Sequence, residues 1–447
     1  MIKNIKKIYH NANYLERILF ILFAFLPVSI VLGNLLINLT FILISVIFII
    51  NLFLNKNFSF LKDINFLIPA FFFISLLVNV FFSMDPLLSY PRVLKVLIMI
   101  LFIAQLKKTI NAYSVDFEKI IFGFWSIIFV FVILDGVFEI IFGFNSLGFE
   151  SHQPGRIAGF FGDELVLGSF LLIFGSFFLA FVFTHFKANK KIFFFLILSL
   201  IIISLMIGER ANFIRFSVLV FLFSIFILKL KIKDIIAGLI PLTIILVLII
   251  SLNESYNYKF YQQFANFSCK KQVNFKNEHP SMIKRNEILK YWKSKCKKDT
   301  GIVTLYTGSI YGAQFNAAYK VFQQNLIFGV GIKNYRMVAG NQKYENKEFL
   351  FTQARWSTHP HQVHFELLSE TGLFGYICFL IFIISSLYLS IKNYFKNKNA
   401  FQLVSVLYII VFLIPFLPTG SFFSTFSSCL FWINYAIMMA YNKNSFN

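Results

Sequence analysis

The chain has 447 residues, of which 58% are hydrophobic and only 14% are charged, and its net charge is +21. A soluble domain is about half apolar and about a quarter charged, so this composition excludes an ordinary soluble protein and predicts a polytopic membrane protein. The positive charge does not indicate nucleic-acid binding. Most lysines lie in short connections between apolar segments, as in the cytoplasmic loops of membrane proteins.

Twelve apolar segments are candidate membrane-spanning helices, since a span needs about 20 mostly apolar residues. In chain order they lie at 18–34, 36–54, 64–83, 92–106, 119–142, 165–186, 192–208, 211–228, 235–252, 373–391, 401–418 and 424–441. The first follows a basic N-terminus that has no convincing cleavage site, so we interpret it as an uncleaved span. The sequence therefore predicts an all-α polytopic membrane protein with about 12 transmembrane helices.

The lysines of the short connections predict the orientation of the spans. They recur at 56–62, 107–108, 187–191, 229–233 and 392–398, and with these spans every one of those connections falls on the side of the N-terminus. Cytoplasmic loops carry an excess of lysine and arginine, so both termini are predicted to be cytoplasmic.

One long hydrophilic region interrupts the spans and is predicted to face the opposite, outer side. It divides the chain into predicted helices 1–9 at 1–252, a large loop at 253–363, and helices 10–12 at 364–447. The loop is expected to be partly helical, because Phe315 to Gln324 is amphipathic. It contains Cys269 and Cys296, for which a disulfide is permitted if the loop is periplasmic, and the sequence leaves that pairing open.

Several arginines stand out because the short outer connections otherwise carry almost no positive charge. They are Arg92, Arg156, Arg210 and Arg215. Placing an arginine in or near hydrocarbon costs at least a few kcal/mol, so each needs a compensating partner. One interpretation is ion pairs with acidic residues such as Glu209, Asp135 and Glu139, of which the last two are expected arginine partners. The other is an anion at the outer face, such as a lipid diphosphate.

A histidine-rich segment joins the long loop to the tenth predicted span. Thr358 or His359 is predicted to cap a helix, with Pro360 and His361 in its first turn. There the helix dipole opposes protonation of His361, which leaves the neutral imidazole that a general base requires. Three histidines, His364 included, could also bind a metal, but no carboxylate or cysteine accompanies them, so no metal site is expected.

Two glycines lie where this segment enters the predicted span. Gly372 and Gly375 are interpreted either as small residues for close helix packing or as the site of a bend between an interfacial helix and the tenth span.

These motifs together resemble the O-antigen ligase and polymerase superfamily of bacterial polytopic membrane glycosyltransferases. His361-Gln362, Gly372 and Gly375 resemble its hallmark motif, although Gln362 stands where the family commonly has Asn. Three further segments resemble family elements in the expected order: 156–162, 208–212 and 328–335. The last departs from the family in having Asn-Leu-Ile at 325–327, where the family usually has a proline.

The resemblance implies a metal-independent enzyme without a cofactor, at the periplasmic face of the bacterial inner membrane. Such an enzyme transfers a glycan from undecaprenyl diphosphate to an acceptor hydroxyl. Carried onto this chain, His361 would be the general base, and Arg156 and Arg210 would be catalytic through the diphosphate. Arg215 and Arg92 would also bind the diphosphate. The remaining motif residues would support the site: Glu209, His359, Gln362, Gly372 and Gly375.

The acceptor distinguishes the possible functions within this superfamily. An O-antigen ligase uses lipid A-core, a polysaccharide polymerase uses another carrier-linked repeat, and a protein O-oligosaccharyltransferase uses a protein. The basic stretch from Lys284 to Lys298 would suit a phosphorylated lipid A-core, or it is simply a solvated surface. A transporter of lipid-linked sugars also fits twelve spans and membrane-level arginines, but it does not explain the long outer loop that ends at His361.

Overall fold

A computed structural model describes residues 12–153, 155–162, 164–186, 190–229, 232–257, 260, 306–349 and 351–442. Helices make up 78% of the structure, and the described part of the chain contains no strand. The predicted all-α fold class is therefore confirmed. Cys269, Cys296 and the basic stretch 284–298 lie outside the described residues.

The described residues form thirteen helices longer than two turns. They are α1 (Tyr14–Leu32), α2 (Asn34–Asn55), α3 (Ile64–Phe81), α4 (Pro86–Phe117), α5 (Gly123–Phe142), α6 (Leu167–Phe186), α7 (Lys190–Met206), α8 (Arg210–Phe226), α9 (Ile232–Leu252), α10 (Ile310–Gln324), α11 (Val363–Asn397), α12 (Ala400–Phe412) and α13 (Thr425–Ala440), with α4 and α5 joined by a π-helical turn at Glu118–Phe122. Counted with that turn as one continuous element, α4 and α5 form a 57-residue helix from Pro86 to Phe142.

Each of the twelve predicted spans coincides with one of these helices. Within the described residues, six helices are long and apolar enough to cross a membrane by length and composition, and four further apolar helices are shorter. Many large apolar side chains on them point outward, such as Leu35 (80% exposed) and Phe53 (71% exposed). Water would penalise such surfaces, whereas lipid tails accommodate them, so the chain is a multi-pass membrane protein.

Aromatic side chains fill the interior between the helices. α11 packs against α3, and α13 packs against α4 and α12. At the first of these contacts the rings of Phe72 and Phe382 stack with their centroids 4.9 Å apart. On α4 and α13, Phe102 and Trp432 are fully buried. Cys378 and Cys429 are buried free thiols, as their positions in apolar segments predict.

Two helix boundaries differ from the predicted spans, and both differences shape one end of the bundle. The predicted span 401–418 ends as a helix at Phe412, and residues 413–424 form an irregular segment, which we call the 413–424 loop. α11 begins at Val363, ten residues before the predicted span, so the histidine segment leads directly into it. The amphipathic helix expected in the outer loop is confirmed as α10, which packs on α11.

Candidate functional site

A sharp bend at Gly372 divides α11 into a short first part and a long second part. Gly372 has φ 64° and ψ −166°, a backbone conformation that is almost exclusive to glycine. A Cβ atom at this position would lie 2.3 Å from the carbonyl oxygen of Ile327. The bend expected from the glycine pair is therefore present, and it depends on Gly372.

The bend frees main-chain groups of α11, and a second motif pairs with them. The carbonyls of Ser369 and Glu370 accept hydrogen bonds from the amides of Val330 (3.0 Å) and Gly331 (2.8 Å). On the other side of the bend, the amides of residues 373 and 374 donate to the carbonyls of residues 326 and 327 at 2.8 and 3.0 Å. Buried main-chain groups must be paired, so the segment 326–331 completes the bent helix.

The same segment is anchored on its other face to the tip between α3 and α4. The side chain of Asn79 donates to the carbonyl of Phe328 at 2.6 Å. The hydroxyl of Ser89 donates to the carbonyl of Ile332 at 2.8 Å. The segment is therefore held between α3, α4 and α11, which fixes the start of α11 relative to the bundle.

Gln362, not Thr358 or His359, caps α11. Its side-chain oxygen accepts hydrogen bonds from the amides of His364 (2.8 Å) and Phe365 (3.1 Å). His361 therefore lies one residue before the cap, in a left-handed conformation with φ 57°, and the prediction that it lies in the first helical turn is wrong. The side-chain amide of asparagine can cap in the same way, so Gln362 preserves what the family's usual residue would supply.

Burial, rather than a position in the helix, keeps the His361 imidazole neutral. Its ring centroid lies 5.9 Å from that of Tyr311 and 3.9 Å from that of His359. Burial, helped by the neighbouring His359 and opposed by the charge of Glu366, lowers the pKa of His361 to about 4. Burial also lowers the pKa of His359 to about 3. Both rings are therefore neutral at pH 7.

His364 has a different position from His361, although the two lie three residues apart. Its Nε2 atom lies 2.9 Å from the carbonyl oxygen of Leu413, and its Nδ1 atom lies 3.1 Å from the hydroxyl of Tyr376. These contacts tie α11 to the beginning of the 413–424 loop. Among the described residues, no group of three histidine, cysteine or acidic side chains is arranged to hold a metal ion.

Arg215 belongs to α8, and its buried side chain binds the 413–424 loop. Its guanidinium donates to the carbonyls of Val411 (3.2 Å), Leu417 (2.9 Å) and Pro418 (2.8 Å). The next residue, Thr419, donates its amide to the carbonyl of His361 at 2.8 Å. Arg215 and His361 are thus held by adjacent residues of the same loop.

Arg156 and Arg210 lie beside Glu209 at the beginning of α8. A guanidinium nitrogen of Arg156 lies 3.8 Å from a carboxylate oxygen of Glu209 and donates to the carbonyl of Leu165 at 2.8 Å. The Glu209 carboxylate also accepts from the amide of Gly168 at 2.9 Å. Arg210 is the first residue of α8 and is half-buried. The ion pair expected with Glu209 is therefore present for Arg156.

Asp135 and Glu139, by contrast, bind main-chain amides instead of the expected arginines. Glu139 accepts from the amides of Ala158 (3.1 Å) and Gly159 (2.6 Å), and Asp135 accepts from the amide of Ser146 (2.8 Å). The two carboxylates hold the connection between α5 and α6, which carries Arg156. Their contribution to the site is to position that connection.

Residues 195–380 match the family model described as O-antigen ligase. This part of the chain is therefore similar to the O-antigen ligase family. The match covers less than half of the chain and includes α8, the segment 326–331 and the histidine motif, and it supports a glycosyltransferase-like ligase or polymerase function. A search of curated proteins found no match to the chain.

A buried charged network joins three parts of the site that sequence reasoning did not connect. The ammonium of Lys333 lies 3.8 Å from the carboxylate of Glu366 and donates to the hydroxyl of Ser421. Ser421 donates to the same carboxylate, and the amide of Phe422 donates to it at 2.7 Å. The network links the segment after residue 331, the first part of α11 and the 413–424 loop, so it fixes the loop that holds His361.

Arg92 lies at the edge of this network. Arg92 and Lys333 both lie close enough to Lys95 to act on its charge, and Lys95 donates to the hydroxyl of Thr425 at 2.8 Å. Arg92 is therefore associated with Lys333, whereas Arg156 and Arg210 lie beside Glu209.

We expect Arg215→Ala to lower the free energy of unfolding by roughly 3–5 kcal/mol, because it leaves buried carbonyls of residues 411, 417 and 418 without their charged donor. Thermal unfolding of the detergent-purified protein measures the effect. Arg336→Ala, which removes an exposed arginine, is the control and should change stability by no more than about 0.5 kcal/mol. Equal stability of the two variants would contradict the structural role of Arg215.

Proposed function

We propose that the chain is an O-antigen ligase. It transfers a polysaccharide from undecaprenyl diphosphate to lipid A-core at the periplasmic face of the bacterial inner membrane, without a metal or other cofactor. The observation that carries the proposal is the convergence of a neutral histidine with arginines at one end of the bundle. His361 and Arg215 meet the 413–424 loop at adjacent residues, and Arg210 begins the helix that contains Arg215.

The spacing along α8 supports an anion site within reach of this histidine. Five residues of α-helix rise about 7.5 Å, so Arg210 lies about that far along the axis from Arg215. Arg156 joins Arg210 through its ion pair with Glu209. Arginine binds phosphate oxygens by paired hydrogen bonds, so Arg156 and Arg210 suit a diphosphate. Arg215 already donates to carbonyls, so we assign it to the framework of the site.

The proposed transfer is a single displacement at the anomeric carbon of the donor. The acceptor hydroxyl attacks this carbon while the neutral imidazole of His361 takes its proton. The bond between the anomeric carbon and the diphosphate oxygen breaks, and its electrons leave with undecaprenyl diphosphate. Arg156 and Arg210 stabilise the negative charge that develops on the leaving group. The products are the glycosylated acceptor, the free carrier diphosphate and a protonated His361.

The pKa of His361 gives this proposal a characteristic pH dependence. The base must be neutral, and its pKa is lowered to about 4, so kcat/KM should stay constant as the pH falls from 8 to 5 and decline only near pH 4. An unperturbed histidine would instead lose activity around pH 6.5. Initial rates at fixed ionic strength over pH 4–8 measure the profile. A decline centred at pH 6.5 would contradict a buried, neutral base.

The identity of the acceptor can be determined from the intermediates that accumulate in a strain from which the gene has been deleted. Full-length glycan on the carrier, together with lipid A-core that lacks it, is the result expected for a ligase. Single repeats on the carrier would identify a polymerase. Normal lipopolysaccharide with unglycosylated protein would identify a protein oligosaccharyltransferase. Donor stranded on the cytoplasmic side would identify a transporter and overturn the enzymatic assignment.

A further inference from the structure

Among the described residues of 306–361, Trp356 is the most exposed large aromatic side chain. Trp356 is 70% exposed, whereas Trp125 and Trp432 are buried in the bundle, and Tyr335 and Tyr344 are buried beneath the outer region. An exposed tryptophan outside the apolar helices exposes a large apolar face to solvent. A ligand that covers this face would gain from the contact.

The ring is held in place by its surroundings. A Cβ atom added to Gly340 would lie 3.2–3.4 Å from three atoms of the indole, so the main chain at Gly340 supports one side of the ring. The adjacent Arg355 is buried and donates to the carbonyls of Thr352 (2.9 Å) and Gly340 (3.3 Å). Arg355 also pairs with Glu345 at 3.7 Å. The ring therefore needs little ordering when a ligand binds.

Trp356 lies close to His361 along a structured piece of chain. They are five positions apart in the sequence, so their Cα atoms are at most about 18 Å apart. The hydroxyl of Ser357 donates to the carbonyl of His359 at 2.7 Å, and Pro360 is buried. The geometry therefore places a fixed aromatic face on the same structured segment as the histidine.

We propose that Trp356 is the stacking platform for a sugar unit of the acceptor glycan. A pyranose ring carries a face of C–H groups that packs on the electron-rich face of an indole, while its hydroxyls stay hydrated. The placement beside His361 assigns the platform to the acceptor, whose hydroxyl that histidine deprotonates. The identity of this ligand as the acceptor rests on the proposed transferase function. The inference itself concerns binding and not the chemical step.

The test measures binding of a lipid-free core oligosaccharide to the full-length protein in detergent by equilibrium dialysis. All variants are made in the His361→Asn background, so no turnover takes place. Trp356→Ala should weaken binding at least tenfold, and Trp356→Phe, which retains an aromatic face, should weaken it less. Tyr319→Ala is the matched control, because it removes another exposed aromatic ring of the outer region, and it should leave binding unchanged.

Three results would overturn the inference. The first is equal binding by the Trp356→Ala and control variants, or no binding by the His361→Asn parent. The second is a preference of the platform for the donor polysaccharide over the core oligosaccharide. The third is quenching of Trp356 fluorescence by brominated lipids, which would show that it anchors the protein at the membrane interface.

The failure of this inference and that of the transferase mechanism are distinguishable. If oligosaccharide binding depends on Trp356 but His361→Asn still transfers glycan at the normal rate, only the assigned base is wrong. If His361→Asn is inactive but binding does not depend on Trp356, only the platform is wrong.

Discussion

Replacing His361 by alanine should lower the rate of glycan transfer by about 10²–10⁴-fold, the usual contribution of a positioned general base. The loss should appear at pH 7, because the imidazole is neutral there and able to accept a proton. The measurement is the initial rate of transfer by purified protein from a carrier-linked donor. His152→Ala is the matched control, since His152 is an exposed histidine before Arg156, and its rate should be unchanged.

A second variant separates loss of the base from loss of the fold. Asn tolerates the left-handed conformation that His361 adopts, and the hydrogen bond from Thr419 goes to the main-chain carbonyl, which His361→Asn retains. This variant should therefore unfold at the temperature of the parent while remaining as inactive as the alanine variant. Transfer at near-normal rate by either folded variant would rule out His361 as the base.

Gly372→Ala should destabilise the protein by at least about 3 kcal/mol, through unfavourable backbone conformation and direct overlap. Its Cβ atom would lie 2.3 Å from the carbonyl oxygen of Ile327 and 2.6 Å from the amide nitrogen of Gly329. Relief of that overlap would separate the segment 326–331 from α11 and break their hydrogen bonds. The measurement is thermal unfolding in detergent, with the amount of membrane-inserted protein as a second readout.

Gly143→Ala is the control that measures the cost of the backbone conformation alone, without the steric overlap that Gly372→Ala creates. Gly143 also has a positive φ, 85°, but a Cβ atom there would meet nothing within 4 Å. This variant should cost about 1–2 kcal/mol, the usual cost of a left-handed conformation for a residue with a side chain. Equal destabilisation by the two variants would show that the contact between the bend and the segment 326–331 contributes little.

The helices could be predicted from the sequence because the apolar segments and the lysines between them are local patterns. The end of α12 was missed because the apolar run continues through residues 413–418, although Pro415 and Pro418 are signals that the helix stops. Those two prolines are the sequence signal for the 413–424 loop. The helix cap at Gln362 was missed for two reasons. Threonine, as at Thr358, is a more common cap than glutamine, and His359 directly precedes a proline that suits the first helical turn.

The contacts that assemble the site could not be predicted in the same way. Lys333, Glu366 and Ser421 are separated by 33 and 55 residues, and no local pattern indicates that they meet. Asp135 and Glu139 were paired with arginines on charge alone, but a carboxylate is satisfied equally well by main-chain amides, and residue type does not distinguish the two. The motifs identified the participants, whereas their partners depend on tertiary structure.

The pairing of α11 with the segment 326–331 has a consequence for the biogenesis of the protein. A ribosome synthesises this segment before α11, so the partner of the bend exists before the helix that needs it. Inside a bilayer the freed amides of Leu373 and Phe374 have no water to bind. The helix can therefore adopt its bent form only after residues 326–331 have reached the same side of the membrane. A chain in which residues 326–331 cannot reach the bend should hold α11 as a straight helix, with the histidine segment displaced from the 413–424 loop.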